Sequence, residues 1–330
     1  MSAQAEQNIT AATRTTPLSR EEAIALLEAP GAAPAELLDK AFELRRAHKG
    51  LVVGVQLLTN ARSGNCTQDC AYCAQSKRSK ADIETYRWVS DEKLEADDEL
   101  VALDHMARHC IGLSGMGFTD EEIERLADRI RSLKRRGGSI CCSIGFLTER
   151  QARMLKDAGL DRINHNLNTS RRFYPSICST HTWDRRVQNI RMLQGLGFEI
   201  CCGGIIGMGE EPYDVVDMLM ELRELRPQSV PINFLIPIGG TPLGDRRPKP
   251  LTTDFCLKVL ALARVLVPNA DLRCAAGREL YFRGRERELF RVVDSIFADG
   301  YLTARGQGIT DTIKLIEDAG FVYECEAEAE

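Results

Sequence analysis

Apolar and polar positions change period repeatedly along this chain, and the changes mark its elements. Ala23, Leu26 and Leu27 recur at helical spacing behind a Ser19/Glu22 capping box, so a first helix is expected there, and a second over Ala35–His48. Gly50–Leu58 is a near-continuous apolar run and reads as a buried strand. Helical stretches are then expected over Asp91–Arg108, Asp120–Arg136, Thr148–Ala158, Thr182–Leu196, Glu211–Leu225 and Asp254–Leu266. Short apolar segments lie between them, around Cys110, Ser139–Ile144, Arg162–Leu167, Glu199–Ile206, Ser229–Leu235, Asp271–Ala275 and Asp294–Phe297. Turn residues such as Gly137, Gly138, Gly159 and Gly197 punctuate the series.

A repeated strand–helix order implies a parallel sheet. About eight strands in roughly 250 residues match the α/β class and a (β/α)8 TIM-type barrel with a short N-terminal helical extension. A doubly wound open sheet is the alternative, but no glycine-rich dinucleotide fingerprint follows the first strand. The expected layout is a disordered tail over 1–18, N-terminal helices over 19–49, the barrel over 50–320 and an acidic tail over 321–330.

Composition narrows the function classes. The 330 residues are 44% hydrophobic and 28% charged, with a net charge of −5. No basic stripe stands out, which argues against nucleic acid as a partner. The apolar runs are too short to span a bilayer, and the polar N-terminus lacks an apolar signal core, so a cytoplasmic location with no membrane partner is expected. There are 12 cysteines, which in a reducing compartment are not expected to pair as disulfides. Buried thiols can be simple small hydrophobes, but their clustering argues otherwise for at least three.

Those three form Cys66-Thr-Gln-Asp-Cys70-Ala-Tyr-Cys73, directly after the first expected strand, at the mouth where barrel active sites sit. Three thiolates on one loop can hold three irons of a [4Fe–4S] cluster and leave the fourth open. Zinc is the competing metal, but no second paired knuckle follows. The CxxxCxxC spacing resembles the radical S-adenosylmethionine (SAM) superfamily, and the longer string Gly64-Asn-Cys-Thr-Gln-Asp-Cys-Ala-Tyr-Cys-Ala-Gln-Ser76 is similar to the biotin synthase family.

That resemblance implies a set of roles. Cys66, Cys70 and Cys73 would hold the [4Fe–4S] cluster, whose open iron binds SAM. Cys110, Cys141, Cys201 and Arg273 would hold an auxiliary [2Fe–2S] cluster that donates sulfur. Asn164, Asn166, Asn168, Arg186, Gly207, Gly209, Glu210 and Tyr72 would contact SAM, and Asn166 and Asn233 the substrate, dethiobiotin. It also implies a homodimer and an electron donor such as flavodoxin or ferredoxin. The residues themselves leave plainer alternatives: Arg273 in an ion pair with an acid, Arg186 in a surface ion pair, and the asparagines as turn or cap residues. Asn168 stands where relatives carry aspartate, which removes a charge-assisted contact. Cys142, Cys202 and Cys274 adjoin three ligand positions. Alternation along a strand would turn Cys142 and Cys202 outward, whereas a bulge would bring one inward, enlarge the auxiliary cluster or replace Arg273 by Cys274. Two other readings are another radical SAM enzyme of the hydrogenase-maturation or methylornithine type, and a non-catalytic iron–sulfur protein.

Overall fold

The computed structural model describes residues 18–304 and 306–323. Two helices come first, α1 (Arg20–Glu28) and α2 (Ala35–Lys49). The capping box is present, with the Ser19 hydroxyl accepting from Glu22 N and the Glu22 carboxylate from Ser19 N. Strand β1 (Val52–Arg62) follows, then α3 (Asp91–Leu103), β2 (Arg108–Leu113), α4 (Asp120–Lys134), β3 (Ile140–Ser143), α5 (Glu149–Asp157) and β4 (Arg162–Asn164). The second half runs α6 (Trp183–Gly195), β5 (Glu199–Cys201), β6 (Gly204–Ile206), α7 (Pro212–Leu225), β7 (Ser229–Phe234), α8 (Pro242–Arg246), α9 (Thr253–Leu266) and β8 (Asp271–Cys274). It ends with α10 (Arg278–Tyr281), α11 (Glu286–Phe290), β9 (Ser295–Ala298), α12 (Ile309–Asp318) and β10 (Val322–Tyr323).

All barrel pairings are parallel, and β9 returns to β1, so the sheet closes as a (β/α)8 barrel in which β5 and β6 together make one stave. The Glu199–Ile206 segment, expected as one strand, is broken at Cys202–Gly203. A Cβ on Gly203 would lie 1.9 Å from the Pro231 carbonyl oxygen of β7, and Pro231 has no N–H for the ladder. The amide of Gly203 instead donates to the Asn166 side chain. Phe321–Tyr323, placed in the acidic tail by the sequence reading, belongs to the fold: β10 pairs with the start of β1, and Phe321 is buried. The expected tail over 1–17 and the acidic end 324–330 lie outside the described residues. Helices α8, α10, α11 and α12 were not expected from the apolar pattern. Among the described residues no helix is long and apolar enough to cross a membrane.

The N-terminal end of the barrel is closed by charge rather than by apolar packing alone. Arg264 and Asp294 form an ion pair with both side chains fully buried, and the same carboxylate accepts from Leu272 N at 2.8 Å. Arg45, on α2, is also fully buried and donates to the carbonyls of Gly50, Val52 and Val293. Its guanidinium lies 5.0 Å from the Phe321 ring centroid. Removing one member of a buried pair strands the other charge. Asp294→Ala is therefore expected to cost about 3–5 kcal/mol, read as a lowered denaturant midpoint.

Candidate active site at the C-terminal mouth of the barrel

Two groups of cysteines sit at different depths along the barrel axis. The upper group is on the loop after β1. Its fold is set by Cys66 N donating to Gln75 O, Cys73 N to Cys70 O and Ser76 N to Cys73 O. Gly64, at φ 72°, makes the turn out of β1, and its amide donates to the Gln75 side chain. A second turn holds the loop from outside: Leu243 N donates to Ala71 O at 3.0 Å and Lys80 N to Gly240 O at 2.7 Å.

Asp69, between the cysteines, does a job that the spacing does not reveal. Its carboxylate accepts from the backbone amides of Ser179 and Thr180 at 3.0 and 3.2 Å, and from both of their hydroxyls. Burial opposes the charge, but the Ser179 and Thr180 donors outweigh it and hold the carboxyl well below the usual carboxylate range. The loop is thereby tied to the segment leading into α6. Asp69→Ala would leave these donors unpaired, at about 1.5–3 kcal/mol per lost charged hydrogen bond. The expected result is a lower iron content after reconstitution, measured against an unchanged far-ultraviolet circular dichroism spectrum.

Above the loop opens a cavity of about 360 Å³. Cys66, Cys70, Cys73 and Tyr72 line one side, and Asn164, Asn166, Asn168, Arg186 and Asn233 line the other. Arg186 donates to the Tyr174 hydroxyl, to Asn166 O at 3.0 Å and towards His181 Nε2 at 3.0 Å. No carboxylate pairs with it among the described residues, so the plainer alternative of a surface ion pair finds no support there, and the guanidinium lines the cavity. Asn166 Oδ1 accepts from Gly203 N at 2.9 Å, and Asn233 spans Gly204 O and Ala276 N at 3.1 Å each. These side chains are fixed by backbone groups but keep unused donor or acceptor capacity. Asn168 has φ 69°, a conformation asparagine tolerates, and its backbone bridges to Gly204.

Gly207, Gly209 and Glu210 do not line the cavity. Glu210 closes on its own loop, accepting from Gly207 N at 2.6 Å and Met208 N at 2.7 Å. Burial pushes its carboxyl above the ordinary glutamate value, against those hydrogen bonds.

The lower cysteine group lies beneath the cavity. Cys110 and Cys141 are register partners, and Cys201 is the partner of Asn164. All three are buried and form a cluster of their own with Leu58 and Phe297. Because Leu58 and Phe297 also line the cavity, they are the partition between the two levels. Cys142, Cys202 and Cys274 pack instead into the main core outside the barrel, as strand alternation requires.

Arg273 is 2% exposed and reaches into the lower level. It donates to Ser295 Oγ and Ser229 Oγ, both at 3.1 Å, and lies 5.1 Å from the Phe297 ring centroid. Asp271 is a charge neighbour through Ser295 rather than a direct ion-pair partner. Gln56 Oε1 accepts from the Cys110 thiol at 3.2 Å, and Asn164 Nδ2 donates to Cys201 Sγ at 3.2 Å. The neighbouring Cys141 thiol and the Arg273 charge hold Cys110 below the ordinary thiol value despite burial, while the Cys110 thiol pushes Cys141 up to about 12. Below them Glu199 pairs with Arg162 at 2.7 Å and Arg108 at 3.7 Å, so the floor carries fixed positive charge.

Both levels suit iron–sulfur clusters. The upper loop gives three thiols on a cavity with room for a further ligand. The lower level gives three converging soft donors, a cation that offsets their negative charge, and shielding from water. Sequence spacing could not have found Gln56, whose only signal is a polar residue inside an apolar strand. It could not have found Cys178 and His181 either, which lie beside Cys70.

Comparison with known proteins agrees with this geometry. Residues 61–245 match the radical SAM superfamily, and residues 231–322 match the Biotin and Thiamin Synthesis associated domain. The chain is 40% identical over 307 residues to biotin synthase of Magnetococcus marinus, covering 92% of this chain and 94% of that protein. It is also 40% identical to biotin synthase of Geobacillus kaustophilus, covering 93% and 92%. Among solved structures, methylornithine synthase superposes with a TM-score of 0.79 at 16% identity, covering 99% of this chain and 98% of that one. The FeFe-hydrogenase maturase of Carboxydothermus hydrogenoformans gives 0.84 at 15%, covering 98% and 80%. The structural likenesses carry the fold alone, and the sequence relationship carries the lineage: this chain belongs to the biotin synthase family of the radical SAM superfamily.

Proposed function

We propose that this chain inserts sulfur into dethiobiotin to form biotin, with SAM as the radical source. The observation that carries this reading is the lower level. A radical SAM enzyme needs only the upper loop, whereas sulfur insertion also needs a buried sulfur source close to the substrate. Cys110, Cys141, Cys201 and Arg273 provide a site for one directly under the cavity. When bound, the upper [4Fe–4S] cluster supplies the electron that splits SAM into methionine and a 5′-deoxyadenosyl radical, and the auxiliary [2Fe–2S] cluster supplies the sulfur.

The chain's own residues bind, orient and exclude water. Cys66, Cys70 and Cys73 hold the upper cluster. Arg186, with no acidic partner among the described residues, attracts the SAM carboxylate. Tyr72 and the asparagines at 164, 166 and 168 face the nucleoside and the ureido group of the substrate, where paired donors and acceptors suit both. Gly207, Gly209 and Glu210 stand outside the cavity, so their part in SAM binding is to shape the loop next to it. Asn233 is held at both ends by backbone and presents its amide edge to the substrate. Leu58 and Phe297 keep water from the lower level until the substrate carbon approaches it. Two carbon–sulfur bonds are needed to close the ring, so the same residues would serve twice, holding one SAM for each reacting carbon.

A homodimer, an electron donor of the flavodoxin or ferredoxin type and a cytoplasmic setting complete the proposal. The fold is shared with methylornithine and hydrogenase-maturation enzymes, which makes another radical SAM reaction the second reading. Reconstituted protein, reductant, SAM and dethiobiotin, combined without oxygen and read by mass spectrometry, separate the two. Biotin together with 5′-deoxyadenosine is expected. Deoxyadenosine without biotin would sink the substrate assignment, and neither product from a fully loaded protein would sink the radical SAM reading.

A further inference from the structure

Cys178 is a thiol beside the active site that the proposed reaction does not use. It lies on the segment between a short 3-10 turn (Tyr174–Ser176) and α6. Its Sγ is 3.8 Å from Cys70 Sγ. The two backbones run together at this point, with Ala71 N donating to Ile177 O at 2.8 Å, one residue from each sulfur. Asp69 clamps the same two segments through Ser179 and Thr180. The cluster loop and the Cys178 segment are therefore held in register from both sides of the sulfur pair.

The trio Cys70, Cys178 and His181 brings its ligand atoms within 4.8 Å of one another, yet it is poorly suited to a cation. His181 Nδ1 faces Gln68 Oε1 at 2.8 Å, and the Arg186 guanidinium sits 3.0 Å from Nε2. The imidazole nitrogens are engaged, and a fixed positive charge is adjacent. What the geometry favours is a bond between the sulfurs. An S–S bond of about 2.05 Å needs side-chain rotation from the present separation, and the hydrogen-bonded backbones already supply the approach.

We propose that, when an oxidant of the hydroperoxide class destroys the upper cluster, Cys70 and Cys178 close into a disulfide that keeps the freed ligand sulfur in a reducible form. This rests on Cys70 being a cluster ligand, as the proposed function has it. The step balances. The Cys178 thiolate attacks the peroxide O–O bond, becomes a sulfenic acid and releases hydroxide, which takes a proton. The Cys70 thiolate then attacks the sulfenic sulfur, the S–S bond forms and hydroxide leaves, taking the second of the two protons the thiols gave up to become water. Two thiols and one peroxide thus become one disulfide and two waters. Without a resolving thiol, a sulfenic acid at Cys70 would climb to sulfinic and sulfonic acids, which ordinary thiol reductants do not reverse.

The test uses the iron-loaded enzyme. Hydrogen peroxide is added until the visible cluster absorption is gone. Free thiols are then alkylated, the protein is digested without reductant, and the peptides are mapped by mass. The expected result is a Cys70–Cys178 peptide pair. Cys178→Ser, loaded to the same iron content beforehand, should lack the pair, carry Cys70 as sulfinic or sulfonic acid, and regain several-fold less cluster absorption after thiol, iron and sulfide are added. Cys70 joined to Cys66 or Cys73, or equal over-oxidation of Cys70 in both proteins, would overturn the proposal. If Cys178→Ser does not fold, the peptide map of the unaltered enzyme decides alone. A protein that never takes up iron would overturn the ligand assignment instead, and that failure shows before any peroxide is added.

Discussion

Cys66→Ala is expected to lose 5′-deoxyadenosine and biotin formation together, by a factor of about 10³ or more. The argument is one of ligand count. Three loop thiols leave one iron open for SAM; two would leave the cluster with too few anchors, and cubane clusters shed iron when a thiolate is missing. Cys66, like Cys73, is only half-buried, whereas Cys70 is buried. Its removal should leave the fold intact, because it contributes little buried surface. The measurement is anaerobic SAM cleavage with the iron content of the same sample. Unchanged deoxyadenosine from Cys66→Ala would show that this thiol holds no catalytic iron.

Cys201→Ala is expected to separate the two halves of the reaction. Biotin should fall by a factor of about 10² or more, while reductive cleavage of SAM continues without productive sulfur transfer. Cys201 lies below the Leu58/Phe297 partition, in the buried group with Cys110 and Cys141, and does not line the cavity. Its loss removes a lower-level ligand and the sulfur partner of Asn164, but touches neither the upper loop nor Arg186. The change from thiol to methyl is small, so packing should cost no more than about 1–2 kcal/mol. Biotin formed at the unaltered rate would sink the lower level as the sulfur source. Loss of deoxyadenosine as well would mean that the two levels are not independent.

The two cysteine groups differ in how far they can be read from the chain. The upper loop is legible because its thiols fall within eight residues and follow a strand, so local spacing alone brings them together. The lower group is scattered over three strands, with Arg273 on a fourth. Before the family resemblance is invoked, nothing local distinguishes Cys141 from Cys142, or Cys201 from Cys202. Alternation separates each pair into an inward and an outward residue, but only closure of the barrel gives inward a meaning. Once β9 meets β1, Cys110, Cys141, Cys201 and Arg273 converge, and their neighbours fall into the outer core.

Periodicity and punctuation were enough to establish the alternating elements, the parallel sheet they imply and the strand that the CxxxCxxC loop follows, because each depends on residues a few positions apart. Tertiary structure decided what depends on distant segments meeting. It made Asp69 a clamp on Ser179 and Thr180, and set Cys178 against Cys70 across more than a hundred residues. It left Arg186 without an acid among the described residues and turned Glu210 onto its own loop, outside the cavity lining. Such contacts draw their energy from burial and from hydrogen bonds between remote segments. No pattern along the chain records those partners, because they become neighbours only after the chain has folded.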